Sequence, residues 1–192
     1  MVDKPEIFKV TQIVPEAFNL EEIDSGGFKV VYKATVKGKT EAVKLVQIPN
    51  DDDNEDVRDE NLRRIVREIE ILKNATSPYL VKLGSIEPRP CNIDDKEYVV
   101  YSEEFLDGES LRQIIKSGYF PKKDELVELA ICLLEAVREL SGLNVIHRDI
   151  KPNNVISTND PGRPYVLLDL GIAFHIGGTQ LTSAHPETKR RH

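Results

Sequence analysis

Tryptophan is missing from the chain, methionine occurs once, and cysteine occurs only at Cys91 and Cys132. Two thiols make no disulfide framework. Each reads as a small buried hydrophobe or an idle thiol, which fits a reducing, cytoplasmic setting. There is no run of about 18 apolar residues, so no transmembrane helix is expected. Met1 to Val10 alternates charged and apolar residues and lacks the pattern of a secretory signal. Basic residues are in the minority, 26 Lys and Arg against 33 Asp and Glu, for a net charge of −7. An acidic chain without a basic stripe argues against a nucleic-acid partner, as the missing apolar span argues against a membrane one. Glycine and proline, 11 of each, are scattered, so neither a long linker nor a low-complexity tract is present.

What remains is enough for a core. With 40% apolar residues over 192 positions, the chain suits one large domain or two small lobes. The acidic excess is local: Asp51, Asp52, Asp53, Glu55, Asp56, Asp59 and Glu60 face only Arg58 within ten residues, which reads as a hydrated loop entering a helix. Phe18 to Asp24, Val30 to Val36 and Glu41 to Gln47 are β-prone runs separated by Ser25-Gly26-Gly27 and by a turn over Val36-Lys37-Gly38-Lys39-Thr40. Leu62, Ile65, Val66, Ile69 and Leu72 recur at helical spacing and predict a helix ending near Lys73 or Asn74. Strands are expected over Val81 to Ile86 and Tyr98 to Tyr101, with Pro88, Pro90 and Asn92 punctuating the stretch between. From Asp124, Leu126, Leu129, Ala130, Leu133, Val137 and Leu140 form an apolar stripe that predicts a second helix, with Gly142 placed to end it. Tyr165 to Leu168 is a short apolar strand after the turn signal Asn159-Asp160-Pro161-Gly162.

The most specific segment is His147-Arg148-Asp149-Ile150-Lys151-Pro152-Asn153-Asn154, followed by Asp169-Leu170-Gly171. It resembles the catalytic loop and metal-binding motif of eukaryotic-type serine/threonine protein kinases, in which an Asn stands five residues after the Asp of H-R-D and a D-F-G follows. By that resemblance Asp149 is the base that accepts the proton of the attacking hydroxyl. Lys151 brings positive charge to the transferring phosphoryl group, and Asn154 with Asp169 holds Mg²⁺. Phosphoryl transfer needs those residue types, because its catalysis is mainly positioning and charge neutralisation. Ile23, Asp24, Ser25, Gly26, Gly27 and Phe28 look like the glycine-rich loop over the ATP phosphates, with Val31 packing on adenine. Glu41-Ala42-Val43-Lys44 resembles the strand that carries the phosphate-contacting lysine, Lys44, beside Ala42. Glu68 sits where the family places the expected carboxylate partner of Lys44, and Glu70, two residues along the helix, is the competing candidate on another face. Glu104 and Leu106 resemble the hinge whose backbone binds the adenine edge.

The sequence also departs from the family pattern. Asp24 and Lys29 replace the first and third glycines of G-x-G-x-x-G, and Lys29 is expected to offset some of the Asp24 charge. Either Glu103 or, after a shift of one residue, Ser102 lines the back of the adenine pocket. Leu170 replaces the Phe of D-F-G as a conservative apolar change that packs beneath the Glu68 helix. Arg148 resembles the arginine of kinases switched by activation-loop phosphorylation, with Thr179, Thr182, Ser183 and Thr188 as acceptors. The resemblance runs from about Phe18 to Gly171. The basic residues Lys189-Arg190-Arg191-His192 read as a solvated end rather than a targeting signal.

These readings together imply an α+β, two-lobed protein-kinase-like fold. An antiparallel N-lobe with one helix (1–103) meets a hinge (104–110) and an incomplete, mainly helical C-lobe (111–192), expected to be a kinase truncated within the activation segment, with a minimal kinase that works without the lower helices as the alternative. ATP and Mg²⁺ are the implied cofactors and a protein with a Ser/Thr acceptor the implied substrate. Self-association or a partner that covers the incomplete C-lobe is expected. A nucleotide-binding module without catalysis, acting as scaffold or regulator, is the first rival. A small-molecule kinase of related fold is the second, disfavoured by the full H-R-D-x-K-P-x-N string.

Overall fold

Two tight turns set the register of the first sheet. In the computed structural model, which describes residues 4–26, 28–48, 55–170 and 174–175, Lys37 and Gly38 both take positive φ. They join β2 (Lys29–Val36) to β3 (Lys39–Ile48). Asp94 and Asp95 do the same between β4 (Arg89–Ile93) and β5 (Lys96–Glu104). Two successive left-handed residues are the geometry that matches strand twist in a two-residue hairpin. With β1 (Ala17–Gly26) these strands form a five-stranded antiparallel sheet in the order β1-β2-β3-β5-β4. A short helix that the sequence did not announce, α1 (Ile7–Ile13), precedes it and contributes the buried Val10 to the outer cluster.

Strand alternation then assigns two different jobs to the two faces. Val30, Tyr32, Ala34 and Val36 of β2, Val43 and Leu45 of β3, and Tyr98 and Val100 of β5 fill one buried cluster under α1. The opposite parity carries Lys29, Val31, Ala42, Lys44, Val99, Tyr101 and Glu103, aligned by the pairs Val31↔Lys44, Lys44↔Tyr101 and Ala42↔Glu103. Against this second face packs α2 (Glu55–Asn74), whose Ile65, Ile69 and Leu72 join the main core with Val99, Tyr101 and Leu170.

The second half of the chain contains β6 (Gly108–Ser110), α3 (Leu111–Lys116), α4 (Lys123–Gly142), β7 (Val145–Ile146), a single 3₁₀ turn at Pro152–Asn154, β8 (Val155–Thr158), β9 (Tyr165–Leu167) and β10 (Phe174–His175). A full capping box between Ser110 and Gln113 starts α3. Strands β6, β8 and β9 form a small sheet, and β9 is tied to the stretch after α2 through Val81 N to Leu167 O at 3.2 Å and Leu167 N to Tyr79 O at 2.9 Å. The Glu139 carboxylate of α4 accepts from the Thr76 and Ser77 amides. Among the described residues, no helix is long and apolar enough to cross a membrane.

Three sequence expectations are corrected. Residues 81–86 do not form a strand; Leu80 and Leu83 make isolated bridges, and the strand falls at Arg89–Ile93 instead. Pro90 is tolerated there because, among the described residues, β4 lies at the edge of the sheet and pairs only with β5. The buried seam of α4 is Cys132, Ala136 and Leu140, with Leu129 and Leu133 packed against it, whereas Leu126 and Val137 of the expected stripe are exposed. That helix is apolar on two faces, Leu134 being 69% exposed, so periodicity alone does not choose between them. The helix ends at Gly142 as expected, but the left-handed residue after it is Asn144, with φ 58°. Gly27, Gly171, the acids at 51–53, the four hydroxyls from Thr179 to Thr188 and the basic end lie outside the described residues.

At Gly108 a Cβ would stand 2.0 Å from the Ser157 carbonyl oxygen. Gly108→Ala must therefore push β6 from β8, and about 1 to 3 kcal/mol of stability is expected to be lost, as for other overpacking changes. Urea unfolding checks this; an unchanged midpoint would refute the close approach.

Candidate active site

Lys44 is 5% exposed at the centre of the second sheet face. A buried ammonium must be paired, and here two carboxylates reach it. Glu103 Oε1 accepts at 2.5 Å and Glu68 Oε1 at 3.4 Å. Burial works against the Lys44 charge, but the carboxylates of Glu103 and Glu68 reverse this and hold the amine well above the usual lysine range. Glu103, 3% exposed, is pushed above the usual carboxylate range by burial, which Lys44 only partly opposes. The Tyr101 ring lies 5.7 Å from Lys44 Nζ, and its buried hydroxyl makes no hydrogen bond among the described residues. The open choice between Glu103 and Ser102 is decided by strand parity. Ser102 faces the other side of the sheet, donating to Glu41 Oε2 at 2.6 Å and accepting from Ile86 N at 2.9 Å, and Glu103 enters the cleft.

The catalytic-loop segment is built around a buried histidine. His147 Nδ1 accepts the Asp149 amide at 3.2 Å, and Nε2 donates to the Leu168 carbonyl at 3.0 Å. Leu168 in turn donates its amide to the Asn154 carbonyl at 2.7 Å. The loop and the strand that leads to Asp169 are thus one hydrogen-bonded unit. Asp149 Oδ2 accepts from Lys151 Nζ at 2.5 Å and from Asn154 Nδ2 at 3.0 Å, and a second bond joins Asn154 Nδ2 to the Asp149 carbonyl at 3.0 Å. Arg148 and Asp169 are held at φ 68° and 61°, a left-handed conformation that costs a non-glycine residue about 1 to 3 kcal/mol and persists where its surroundings over-determine it.

Asp169 Oδ2 accepts from Lys29 Nζ at 2.7 Å, a contact across 140 residues of sequence. Lys29 is thus directed to Asp169. Leu170 is 2% exposed and belongs to the cluster containing Ile65, Ile69 and Leu72 of α2. In the glycine-rich turn Ile23, Asp24 and Phe28 are exposed and Ser25 half-buried, and Gly26 has open space where a Cβ would lie. Val31 and Ala42 are on the cleft face, buried and half-buried. Glu104 ends β5 with its carboxylate gripped by Arg163 at 2.6 and 2.7 Å and its amide given to the Lys82 carbonyl at 2.9 Å. Leu106, half-buried in the connector, makes no hydrogen bond among the described residues, so its peptide N–H and C=O face the demand for a partner that a ligand edge could meet.

Sequence reading had not singled out His147 or Leu168 as the clamp of the loop, nor Arg163 as the lock of Glu104. The Glu103 contact was legible in principle, since counting parity back from Tyr101 along β5 puts it on the Lys44 side.

The family model described as a protein kinase domain matches residues 18–189. Serine/threonine-protein kinase 36 of Pongo abelii is 34% identical over 155 residues, 80% of this chain and 11% of that protein. Myosin light chain kinase A of Dictyostelium discoideum is 29% identical over 83% of this chain and 51% of its own length. Human calcium/calmodulin-dependent protein kinase type IV is 29% identical over 79% of this chain and 29% of its own length. The chain thus spans about half or less of the length of these relatives. The crystal structure of Rad53 1-466 in complex with AMP-PNP superposes with a TM-score of 0.66 at 23% identity, covering 86% of this chain and 42% of that one.

Because the folded pKa of Glu103 is raised, its contribution to stability is complete below the ordinary carboxylate value of 4.5 and is lost as pH rises through the folded value. Glu103→Gln cannot ionise. Its stability relative to the parent is expected to increase with pH across that window, read from urea midpoints at successive pH values. A difference independent of pH would show that Glu103 does not carry the effect.

Proposed function

Since this chain belongs to the protein kinase family, we propose that it forms the nucleotide-binding and catalytic-loop part of a serine/threonine protein kinase. In this reading lobes 1–103 and 111–192, joined by 104–110, flank a cleft from which the γ-phosphoryl group of ATP passes to a protein hydroxyl. The observation that carries the proposal is the set of donors on one carboxylate: Lys151 at 2.5 Å and Asn154 at 3.0 Å from Asp149 Oδ2. That carboxylate is fixed yet side-chain accessible, as a group that must receive a substrate proton requires.

Each residue then has a task. The Asp149 carboxylate orients the acceptor hydroxyl and takes its proton as the oxygen attacks the γ-phosphorus and the bond to the β-phosphate oxygen breaks, ADP leaving with that electron pair. The Lys151 ammonium neutralises charge on the moving phosphoryl oxygens. Lys44 meets the α- and β-phosphates, held in place by Glu68. Ile23, Val31 and Ala42 cover the base, and the peptide groups near Glu104 and Leu106 meet its edge. Asp24, Ser25, Gly26 and Phe28 lie over the phosphates.

The donor chemistry suits Mg²⁺, a hard cation that takes a few protein oxygens and the phosphates. Asn154 Oδ1 makes no hydrogen bond among the described residues, and the carboxylate of Asp169 supplies the second protein donor. These two would hold the ion, which when bound supplies charge neutralisation at the phosphates.

A non-catalytic nucleotide-binding module is the second reading, favoured by one observation: the Asp169 carboxylate is engaged by Lys29, at a position where a glycine is expected. Transfer of radiolabel from MgATP to a basic protein substrate separates the two. Asp149→Asn is expected to lower transfer by about 100-fold or more, the scale of a lost general base, with MgATP binding retained, and Lys44→Met to lower both. Label transfer that survives Asp149→Asn would sink the proposed role. MgATP binding by the parent chain without transfer selects the second reading.

A further inference from the structure

Resting on the nucleotide-binding reading, the charge arrangement of the cleft assigns a task to Lys29. Lys44 is already committed, since its buried ammonium serves the two carboxylates of Glu103 and Glu68. An anion that enters beside it shares a charge already balanced, and meets a pocket with an acid that the Lys44 to Glu68 pair alone would not carry. Lys29 is placed differently. It is the first residue of β2, directly after the glycine-rich turn, on the same strand parity as Val31. Its ammonium crosses to Asp169 Oδ2 at 2.7 Å, so it bridges the strand roof of the cleft and the segment that carries the metal-binding acid.

The two ends of that bridge differ in mobility. Asp169 is set by a left-handed backbone at φ 61°, by the buried Leu170 after it and by the Leu168 hydrogen bonds before it. Lys29 ends in a flexible four-carbon stem with a compact, rotatable ammonium, and the part-exposed pair is of the kind that exchanges at small cost. When another cation takes the Asp169 carboxylate, Lys29 is the partner that moves, and from the first residue of β2 its reach covers the space beneath the turn.

We infer that Lys29 is a phosphate-positioning cation that doubles as the built-in counter-ion of Asp169. In the empty cleft it neutralises the acid. With nucleotide but no metal it is shared between Asp169 and the phosphates and sustains binding. With metal on Asp169 it is released to the phosphates. Lys29 and the divalent ion are thus alternatives on one carboxylate, and the chain binds ATP with an unusually weak dependence on metal.

The test is the affinity of the full chain for ATP, read by displacement of a fluorescent ATP analogue in excess EDTA and in excess Mg²⁺. Lys29→Met is expected to weaken binding in EDTA by about tenfold or more, the scale of a hydrogen bond to a charged group, with a smaller loss in Mg²⁺. Lys29→Arg keeps the charge and is expected to keep metal-free binding, which separates the charge from a folding defect. Asp169→Asn frees Lys29 and is expected to bind metal-free ATP at least as tightly as the parent while losing any gain from Mg²⁺. Lys39→Met, on an exposed strand end, leaves all values unchanged. Lys29→Met that matches the parent in EDTA, or Asp169→Asn that loses metal-free binding, overturns the inference and leaves the nucleotide reading standing. A parent chain that binds no ATP in either condition overturns that reading, and this inference with it.

Discussion

A lysine ammonium in the interior of a β-sheet is tolerable only where carboxylates meet it, and this requirement organises the first half of the molecule. Stranding one buried charge costs on the order of 3 to 5 kcal/mol, so Lys44 must be met by groups from outside its own strand. Glu103 comes from β5, aligned by the pair Ala42↔Glu103 beside it, and Glu68 comes from α2. The helix must therefore dock with one particular face to the sheet. The same face brings Ile65, Ile69 and Leu72 down onto Leu170, so the residue after Asp169 is packed by the helix that supplies an acid to Lys44. Sheet, helix and the Asp169-Leu170 segment are linked through one charge and one apolar cluster.

The catalytic loop obeys a different constraint. It has almost no regular structure between β7 and β8, and its peptide groups still need partners. His147 and Asn154 supply them from side chains, one bonding forward to Leu168 and the other back to Asp149. This local stitching holds Arg148 and Asp169 in left-handed conformations that neither residue favours alone. The strain sits where the chemistry is proposed, and its upkeep comes from the buried imidazole and from the Leu168 amide bond to Asn154.

Legibility in the sequence followed the range of the interaction. The three-strand meander, the end of α2 at Asn74 and the catalytic-loop string were readable because they depend on local alternation, helical period and short spacing. The Glu68 to Lys44 pair was readable through family resemblance. By contrast, β4 was hidden because prolines usually break strands, and only its position at the sheet edge removes the objection at Pro90. The seam of α4 was misjudged because its sequence is apolar on more than one face, so the neighbour and not the period selects Cys132 and Ala136. The Lys29 to Asp169 contact spans 140 residues, and nothing local to Lys29 announces it.

The two departures from the family pattern at the cleft are best understood together. Glu103 introduces a carboxylate beside Lys44, so that one buried ammonium serves the buried acids of Glu68 and Glu103, where each uncompensated charge is costly, while Asp169 is part-exposed. Such a cleft would repel a polyphosphate. Lys29 adds one positive charge against Asp169, as Lys44 does against Glu68 and Glu103 and Lys151 against Asp149. In the reading proposed for this cleft, the lysine at the turn compensates for the acid at the end of β5. On the same proposed reading of Lys29, a chain that carried Glu103 with a glycine at position 29 would depend on metal for the charge that this one supplies from a lysine side chain.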